Sequence, residues 1–352
     1  MIINDYGWNS FFEEQFNNNT NKNCAVGRII ADYGQKLRIA SNTGERLLDR
    51  PVNKPELQLA VGDWVVMEST WGDFDGGTFC ITGVLKRTTK FSRAAAGPEL
   101  KEQIVAANVD TVFLVQSLNK DFNMRRLERY LISAWESGAL PVVILTKADI
   151  CEDIADKLAE VNRTAAGVEV YTVSAVSGEG IDEIKKFLGP GKTVALLGSS
   201  GVGKSTLVNT LAGVELLKTQ TIREDDSKGR HTTTHRELVL LPDGGLILDT
   251  PGMRALCLWE SDTGVGIMFG DIEELIETCR FHDCTHGNEP GCAVREALEE
   301  GKLEAKRWES FLKLQKELRH LEAKKVGKER MQEKQWGKQI AKFQKDFYRV
   351  KR

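Results

Sequence analysis

The sequence contains no uninterrupted apolar run near the ~18 residues that a membrane-spanning helix requires, so no helical membrane span is expected. Its first residues, Met1 to Gln15, carry acidic groups and lack the basic-then-apolar order of a secretory leader. There is also no even set of cysteines with which to staple a small secreted fold. The seven cysteines are an odd number, and three of them crowd between Cys279 and Cys292. That distribution argues against a disulfide framework and for a reducing compartment with a local metal site. A cytoplasmic protein with no membrane partner is the expectation. Net charge is small as well, at −3, but it hides an asymmetry. Residues 301–352 hold 17 Lys and Arg against 7 Asp and Glu, whereas the first 300 residues hold 31 against 44. A basic tail on an acidic body suits a polyanionic partner, and equally suits a solvated helix of mixed charge.

What is present is an ordinary globular composition, 41% hydrophobic and 28% charged, in a chain of 352 residues that has room for two or three cores. Asn17 to Asn23 is polar and Asn-rich, and residues 1–23 read as a flexible lead. Residues 24–95 then carry short β-rich runs (Ala25–Ile30, Gln35–Ala40, Asp63–Glu68, Phe79–Leu85) broken by turn signals, as in a small β-barrel. Such a barrel either binds oligonucleotides or is purely structural. From about Glu102 the pattern becomes that of an α/β fold. Apolar strands at Asp110–Gln116, Pro141–Leu145, Val168–Val173, Thr193–Leu197 and Gly245–Leu248 alternate with helical stretches such as Met124–Ser137, as in a parallel sheet covered on both faces. Glu296–Arg352 lacks proline and reads as helical, with Trp308, Phe311, Leu312, Leu314 and Leu318 forming one docking stripe.

The strongest chemical signal runs Gly198-Ser199-Ser200-Gly201-Val202-Gly203-Lys204-Ser205, directly after a strand and before the helical Thr206–Ala212. Glycines let the backbone curl so that successive N–H groups face phosphate oxygens, and the helix N-terminus adds partial positive charge. Lys204 is expected on the β- and γ-phosphates and the Ser205 hydroxyl on Mg²⁺. Downstream, Asp249-Thr250-Pro251-Gly252 ends a strand, with Asp249 near the Mg²⁺ shell and the Gly252 N–H toward a γ-phosphate. Between the two lies Gly229-Arg230-His231-Thr232-Thr233-Thr234, a hydroxyl-rich loop of the kind that closes over a bound triphosphate.

A base-reading signal precedes these. Thr146-Lys147-Ala148-Asp149 follows a strand, and its carboxylate can accept from both N1–H and the exocyclic amine of guanine. The stem of Lys147 can cover the base face. Ser174-Ala175, after the next strand, suits the companion loop whose backbone N–H contacts guanine O6. GTPases of this class usually place the phosphate motif first. Here the order is circularly permuted, so the segment from Asp249 to Gly252 feeds straight into the C-terminal module.

That module carries Cys279, Cys284, His286 and Cys292, the Cys3His set of a closed, structural zinc site; His282 is the alternative fourth ligand.

Taken together, these residues resemble the RsgA (YjeQ) family of circularly permuted, ribosome-assembly GTPases. The resemblance runs from about Cys24 to the C-terminal helices. It rests also on Gly62-Asp63-Trp64-Val65, Lys90-Phe91-Ser92-Arg93, Ala106-Ala107-Asn108-Val109-Asp110, Arg125 to Tyr130, and Glu289-Pro290-Gly291-Cys292-Ala293. It implies an oligonucleotide-binding (OB-type) barrel over 24–95, a permuted GTPase domain over 101–260 and a zinc-binding helical domain over 270–352. It further implies GTP/GDP, Mg²⁺ and one Zn²⁺, with His286 as the fourth zinc ligand. A monomer acting late in small-subunit maturation is implied, contacting rRNA and stimulated by the subunit. One departure is Thr146, where Asn is commoner; weaker hydrogen bonding around the guanine loop is expected. Met253 stands where many GTPases place a water-orienting Gln. His231 is the candidate substitute, and a plain loop histidine or rRNA contact is the alternative. A different reading of the whole chain is a zinc-containing RNA-binding protein that holds GTP with little turnover.

Overall fold

The computed structural model describes residues 2–19, 24–54, 56–69, 79–94, 102–216, 236–249, 262–287, 289–319 and 323. They fall into two compact units, one within 1–93 and 103–268, the other within 94–102 and 269–352.

The chain begins with helices α1 (Ile2–Asp5) and α2 (Ser10–Asn19), which corrects the expectation of a flexible lead. Aromatic spacing explains the difference: Phe12 and Phe16 share one face of α2, and Trp8, just before the helix, packs against both rings. Trp8 meets Trp64 edge-on with ring centroids 4.9 Å apart, and Ile3 and Phe12 are buried. Asn9 caps α2 by accepting from the Phe11 N–H at 3.0 Å.

Five strands follow: β1 (Cys24–Asp32), β2 (Lys36–Ser41), β3 (Gly44–Asp49), β4 (Trp64–Ser69) and β5 (Phe79–Val84). β1 pairs antiparallel with both β2 and β4, and the chain of pairings extends to β3 on one side and β5 on the other. β6 (Lys90–Ala94) and β7 (Glu102–Ala107) form a separate two-stranded sheet. The sequence pattern did not reveal β3, β6 or β7. β3 alternates exposed and half-buried residues and includes charged ones, so it lacks the apolar run that marks a buried strand.

The α/β part comprises β8 (Thr111–Ser117), α3 (Met124–Ser137), β9 (Leu140–Thr146), α4 (Ile154–Thr164), β10 (Glu169–Val173), α5 (Ile181–Lys185), β11 (Thr193–Leu197), α6 (Lys204–Ala212), β12 (Arg236–Leu240) and β13 (Leu246–Asp249). The strand order is β10-β9-β8-β11-β13-β12, parallel except for β12. All seven residues of β8 and all five of β11 are buried, as expected for strands at the middle of a sheet covered on both faces. Helix α3 spans the expected residues. It starts at Asn123, whose side chain accepts from the Arg126 N–H, and stops at Gly138 in the left-handed conformation.

The two sheets are continuous. β12 pairs with β1 through Ala31↔Glu237 and Asp32↔Arg236. A second junction forms around Arg28, which is 2% exposed and donates to the carbonyls of Gly62 (3.2 Å), Tyr6 (2.5 Å) and Asn108 (2.7 Å). Burial pulls this guanidinium down to about 10, with Asp110 and Asp63 opposing the shift.

Helix α7 (Asp262–Glu277) is interrupted at Phe269, the residue at which the second unit begins. After it come α8 (Ala293–Glu299) and a helix α9 over 305–319. The helical stretch expected from Glu296 is divided at Gly301, which takes φ +71, where glycine is favoured. The stripe on α9 is narrower than expected: Phe311 and Leu314 are buried, whereas Leu312 is exposed. Among the described residues no helix is long and apolar enough to cross a membrane.

Candidate functional site

The loop Gly198–Gly203 links β11 to α6 at the carboxyl edge of the sheet, where ligands collect in open α/β folds. Its glycines are required by geometry at two kinds of position. A Cβ at Gly198 would lie 2.5 Å from the Val115 carbonyl oxygen, so the loop starts flush against β8. Gly201 and Gly203 take φ of +77 and +96, which turn the backbone into α6. The Lys204 ammonium donates to the carbonyls of Gly198 (2.7 Å) and Ser199 (2.6 Å). Ser205 and Thr206 follow in the first turn of α6, both half-buried, and Ser200 is exposed.

The base-reading candidates close on this loop from the side. The Thr146 hydroxyl, at the end of β9, donates to the Val202 carbonyl at 2.6 Å and lies 3.2 Å from that of Gln116. Lys147 takes φ +62, and its ammonium donates to the Gly201 carbonyl at 2.9 Å. Ala148 is buried and Asp149 exposed in the short 3-10 turn Ala148–Ile150. The Thr146 hydroxyl thus ties this loop to the main chain of Gly198–Gly203. Ser174 is fully buried, and its hydroxyl accepts from the Ser177 N–H at 3.1 Å. The Ala175 carbonyl accepts from Thr210 of α6 at 3.3 Å. Gly180 braces the same turn: it takes φ +71, and a Cβ there would overlap the Thr172 carbonyl oxygen. Three loops that are separate in sequence thus share one rim.

Asp249 ends β13, paired with Glu237 of β12. The remaining expected site residues, His231, Thr232, Thr233, Thr234, Gly252 and Met253, lie outside the described residues.

In the second unit, the ligand atoms of Cys279, Cys284, His286 and Cys292 all lie within 4.8 Å of one another. His286 Nδ1 is 3.6 Å from both Cys279 Sγ and Cys292 Sγ. A tetrahedral zinc with Zn–S near 2.3 Å sets its donor atoms roughly 3.8 Å apart, so the set fits that ion. His282 is exposed and outside the cluster. Burial pushes the Cys279 thiol up, but hydrogen bonds from the backbone N–H groups of Val294 and Ala293 and from the Cys284 and Cys292 thiols together hold it below its ordinary value. Cys284 is pushed up to about 11, by desolvation first and its two thiol neighbours second. A cation among them reverses that balance. Glu289 fastens the intervening turn by accepting from the N–H groups of Thr285 and Gly287, and its hydrogen bonds, that from the Thr285 hydroxyl foremost, hold its carboxyl at about 2. The His286 ring meets Trp308 of α9 edge-on at 5.5 Å.

The RsgA GTPase family model matches residues 84–259. "Small ribosomal subunit biogenesis GTPase RsgA 1" of Listeria innocua is 46% identical over 327 residues, covering 90% of each chain. The chain belongs to the RsgA GTPase family. Among solved structures, YjeQ from Thermotoga maritima is 26% identical with a TM-score of 0.59, covering 83% of this chain and 97% of that one. YloQ, described as a circularly permuted GTPase, is 24% identical with a TM-score of 0.58 and shares the fold over 86% of this chain and 97% of its own.

This RsgA-family chain also carries site contacts that sequence reasoning missed. Asp121, in the loop between β8 and α3, accepts from the Ser199 hydroxyl at 2.5 Å and pairs with Arg126 at 2.8 Å. No nucleotide motif includes it, and the parallel pairing of β8 with β11 is what brings that loop beside Gly198–Gly203.

Proposed function

We propose that this chain is a GTPase of small ribosomal subunit biogenesis that grips the subunit in one nucleotide state and releases it after hydrolysis of the β–γ phosphoanhydride. Membership in a GTPase family supplies the reaction class. The Listeria innocua relative carries the small-subunit role in its name, and its likeness spans most of both chains. The nucleotide half of the reading rests on one observation above all: the two candidate motif loops are tied together through Thr146 to Val202 and Lys147 to Gly201. A base reader fastened to a phosphate cradle selects for a whole guanine nucleotide.

In this reading Asp149 accepts from N1–H and the 2-amino group of guanine, Lys147 covers the ring, and Ser174 and Ala175 close on O6. Backbone N–H groups from Ser200 to Thr206 cradle the phosphates and Lys204 neutralises their charge. Ser205 would hold Mg²⁺ together with a switch threonine, Thr233 or Thr234, with Asp249 near its shell. Bound there, the ion neutralises charge between the β- and γ-phosphates. Gly252 turns its N–H toward the γ-phosphate, and His231 orients the attacking water in the absence of a Gln at Met253. Turnover by the free protein is slow because that side chain needs the subunit to place it.

Residues 24–95 act as an OB-type barrel on rRNA, 101–260 as the permuted GTPase domain and 270–352 as the zinc-binding helical domain, whose basic end faces a polyanion. Cys279, Cys284, His286 and Cys292 would hold one structural Zn²⁺ with no open coordination position. The protein acts as a cytoplasmic monomer. Sedimentation tests the reading. With a non-hydrolysable GTP analogue the chain should travel with purified small subunits, and with GDP it should stay behind. Equal sedimentation in both states, or equal binding to large subunits, would contradict it.

A further inference from the structure

The phosphate loop faces a mechanical problem. Among the described contacts, Lys204 holds the carbonyls of Gly198 and Ser199, the two residues at which the loop leaves β11. A nucleotide draws that ammonium toward its phosphates, so another group has to keep the start of the loop in shape. Asp121 is placed to do so. Its carboxylate takes the Ser199 hydroxyl at 2.5 Å, and the loop that carries it is itself stiff. Asn119 accepts from the Asp121 N–H at 3.0 Å, and Gln116 accepts from the Asn123 N–H at 2.9 Å.

A carboxylate beside a phosphate cradle has an electrostatic cost, since it repels the ligand the cradle serves. Arg126, in the first turn of α3, answers that cost. Its guanidinium takes both carboxylate oxygens, at 3.2 and 2.8 Å, and also bonds the Asp121 carbonyl. This fork is the geometry in which an arginine neutralises a carboxylate most completely.

We propose that Asp121 is a positioning residue of the phosphate loop, and that Arg126 cancels its charge so that a carboxylate can brace the loop without repelling the triphosphate. The inference rests on Gly198–Ser205 being the phosphate site. Its signature is the ratio of GTP to GDP affinity, because GTP carries one more negative charge than GDP and a loss of fold or packing does not favour one over the other.

The test uses the full chain and fluorescent GTP-analogue and GDP titrations, with urea midpoints to confirm that each variant folds. Arg126→Gln bares the carboxylate and should lower the GTP:GDP affinity ratio several-fold, up to about tenfold. Asp121→Asn bares the guanidinium and should raise that ratio. The double variant should return the ratio to the wild-type value. Ser199→Ala removes the brace with no change of charge, so both affinities should fall together and the ratio should hold. Molar salt should shrink the two charge effects, since the screening length then falls to about 3 Å. Ratios that do not move in the single variants, a double variant that is not restored, or unchanged affinities in Ser199→Ala would each overturn the inference. Lys204→Ala separates the two levels. Wild-type affinity in that variant would fail the phosphate-site reading itself, whereas loss of binding there with unmoved ratios elsewhere fails only the roles of Asp121 and Arg126.

Discussion

At the scale of single residues, the account turns on hydrogen-bond complementarity. An exposed Asp149 beside a buried Ala148 leaves a carboxylate free to meet a planar base edge while its loop stays anchored. Two hydrogen bonds to a charged acceptor contribute roughly 1.5–3 kcal/mol each. Asp149→Asn replaces one acceptor oxygen with a donor, which mismatches the 2-amino group of guanine and suits the 2-oxo group of xanthine. GTP preference over XTP should then fall on the order of a hundredfold or more, read by competition for a fluorescent nucleotide. An unchanged preference would remove Asp149 from base recognition. The candidate phosphate and guanine motifs stand out in sequence because each needs particular residues at fixed spacing. Asp121 was not, because its role depends on which strands are neighbours and on nothing in its own flanks. The Thr146 contact was hidden for a related reason: its acceptor, the Val202 carbonyl, lies in another loop.

At the scale of elements, the helices and strands with strong apolar periodicity were legible, and the parts stabilised by long-range contacts were not. Helix α3 matched its pattern because its amphipathic face and both caps are local. Helices α1 and α2 escaped because the Asn-rich end of α2 outweighed its aromatic face, where Phe12 packs against the sequence-distant Trp64. The link from the N-terminal strands to the α/β sheet was equally invisible. It depends on Gly62, where φ is +94 and a Cβ would overlap the Ala107 carbonyl oxygen. Gly62→Ala should therefore cost more than about 2 kcal/mol in a urea unfolding curve; a cost within ordinary surface effects would contradict the packing described. The zinc cluster makes a separate prediction. The full chain should carry one zinc ion, and Cys284→Ser or chelation should remove it and lower the melting temperature. Zinc retention should also weaken as pH falls, because thiolates must be deprotonated to bind. A chain that melts identically with and without metal would rule out a structural ion.

At the scale of the whole molecule, circular permutation gives the chain its order of function. The proposed base-reading loop comes first, the proposed phosphate loop next, and the sequence that follows β13 leads on to the Cys3His cluster. In the other direction, β12 follows the Thr232–Thr234 segment and pairs through Arg236 and Glu237 with strand β1 of the N-terminal sheet. Strands on both sides of the nucleotide site are thus tied to the parts proposed to meet RNA. The permuted order could be read from the sequence, but the β1–β12 pairing could not, since no local pattern says which edge a strand will find. The central claim is that this site hydrolyses GTP under the control of a small ribosomal subunit. Turnover of GTP by the purified chain, measured alone, with small subunits and with large subunits, tests it most directly. The account predicts slow turnover alone, acceleration on the order of tenfold or more with small subunits, and none with large subunits. Equal rates in all three conditions would contradict it.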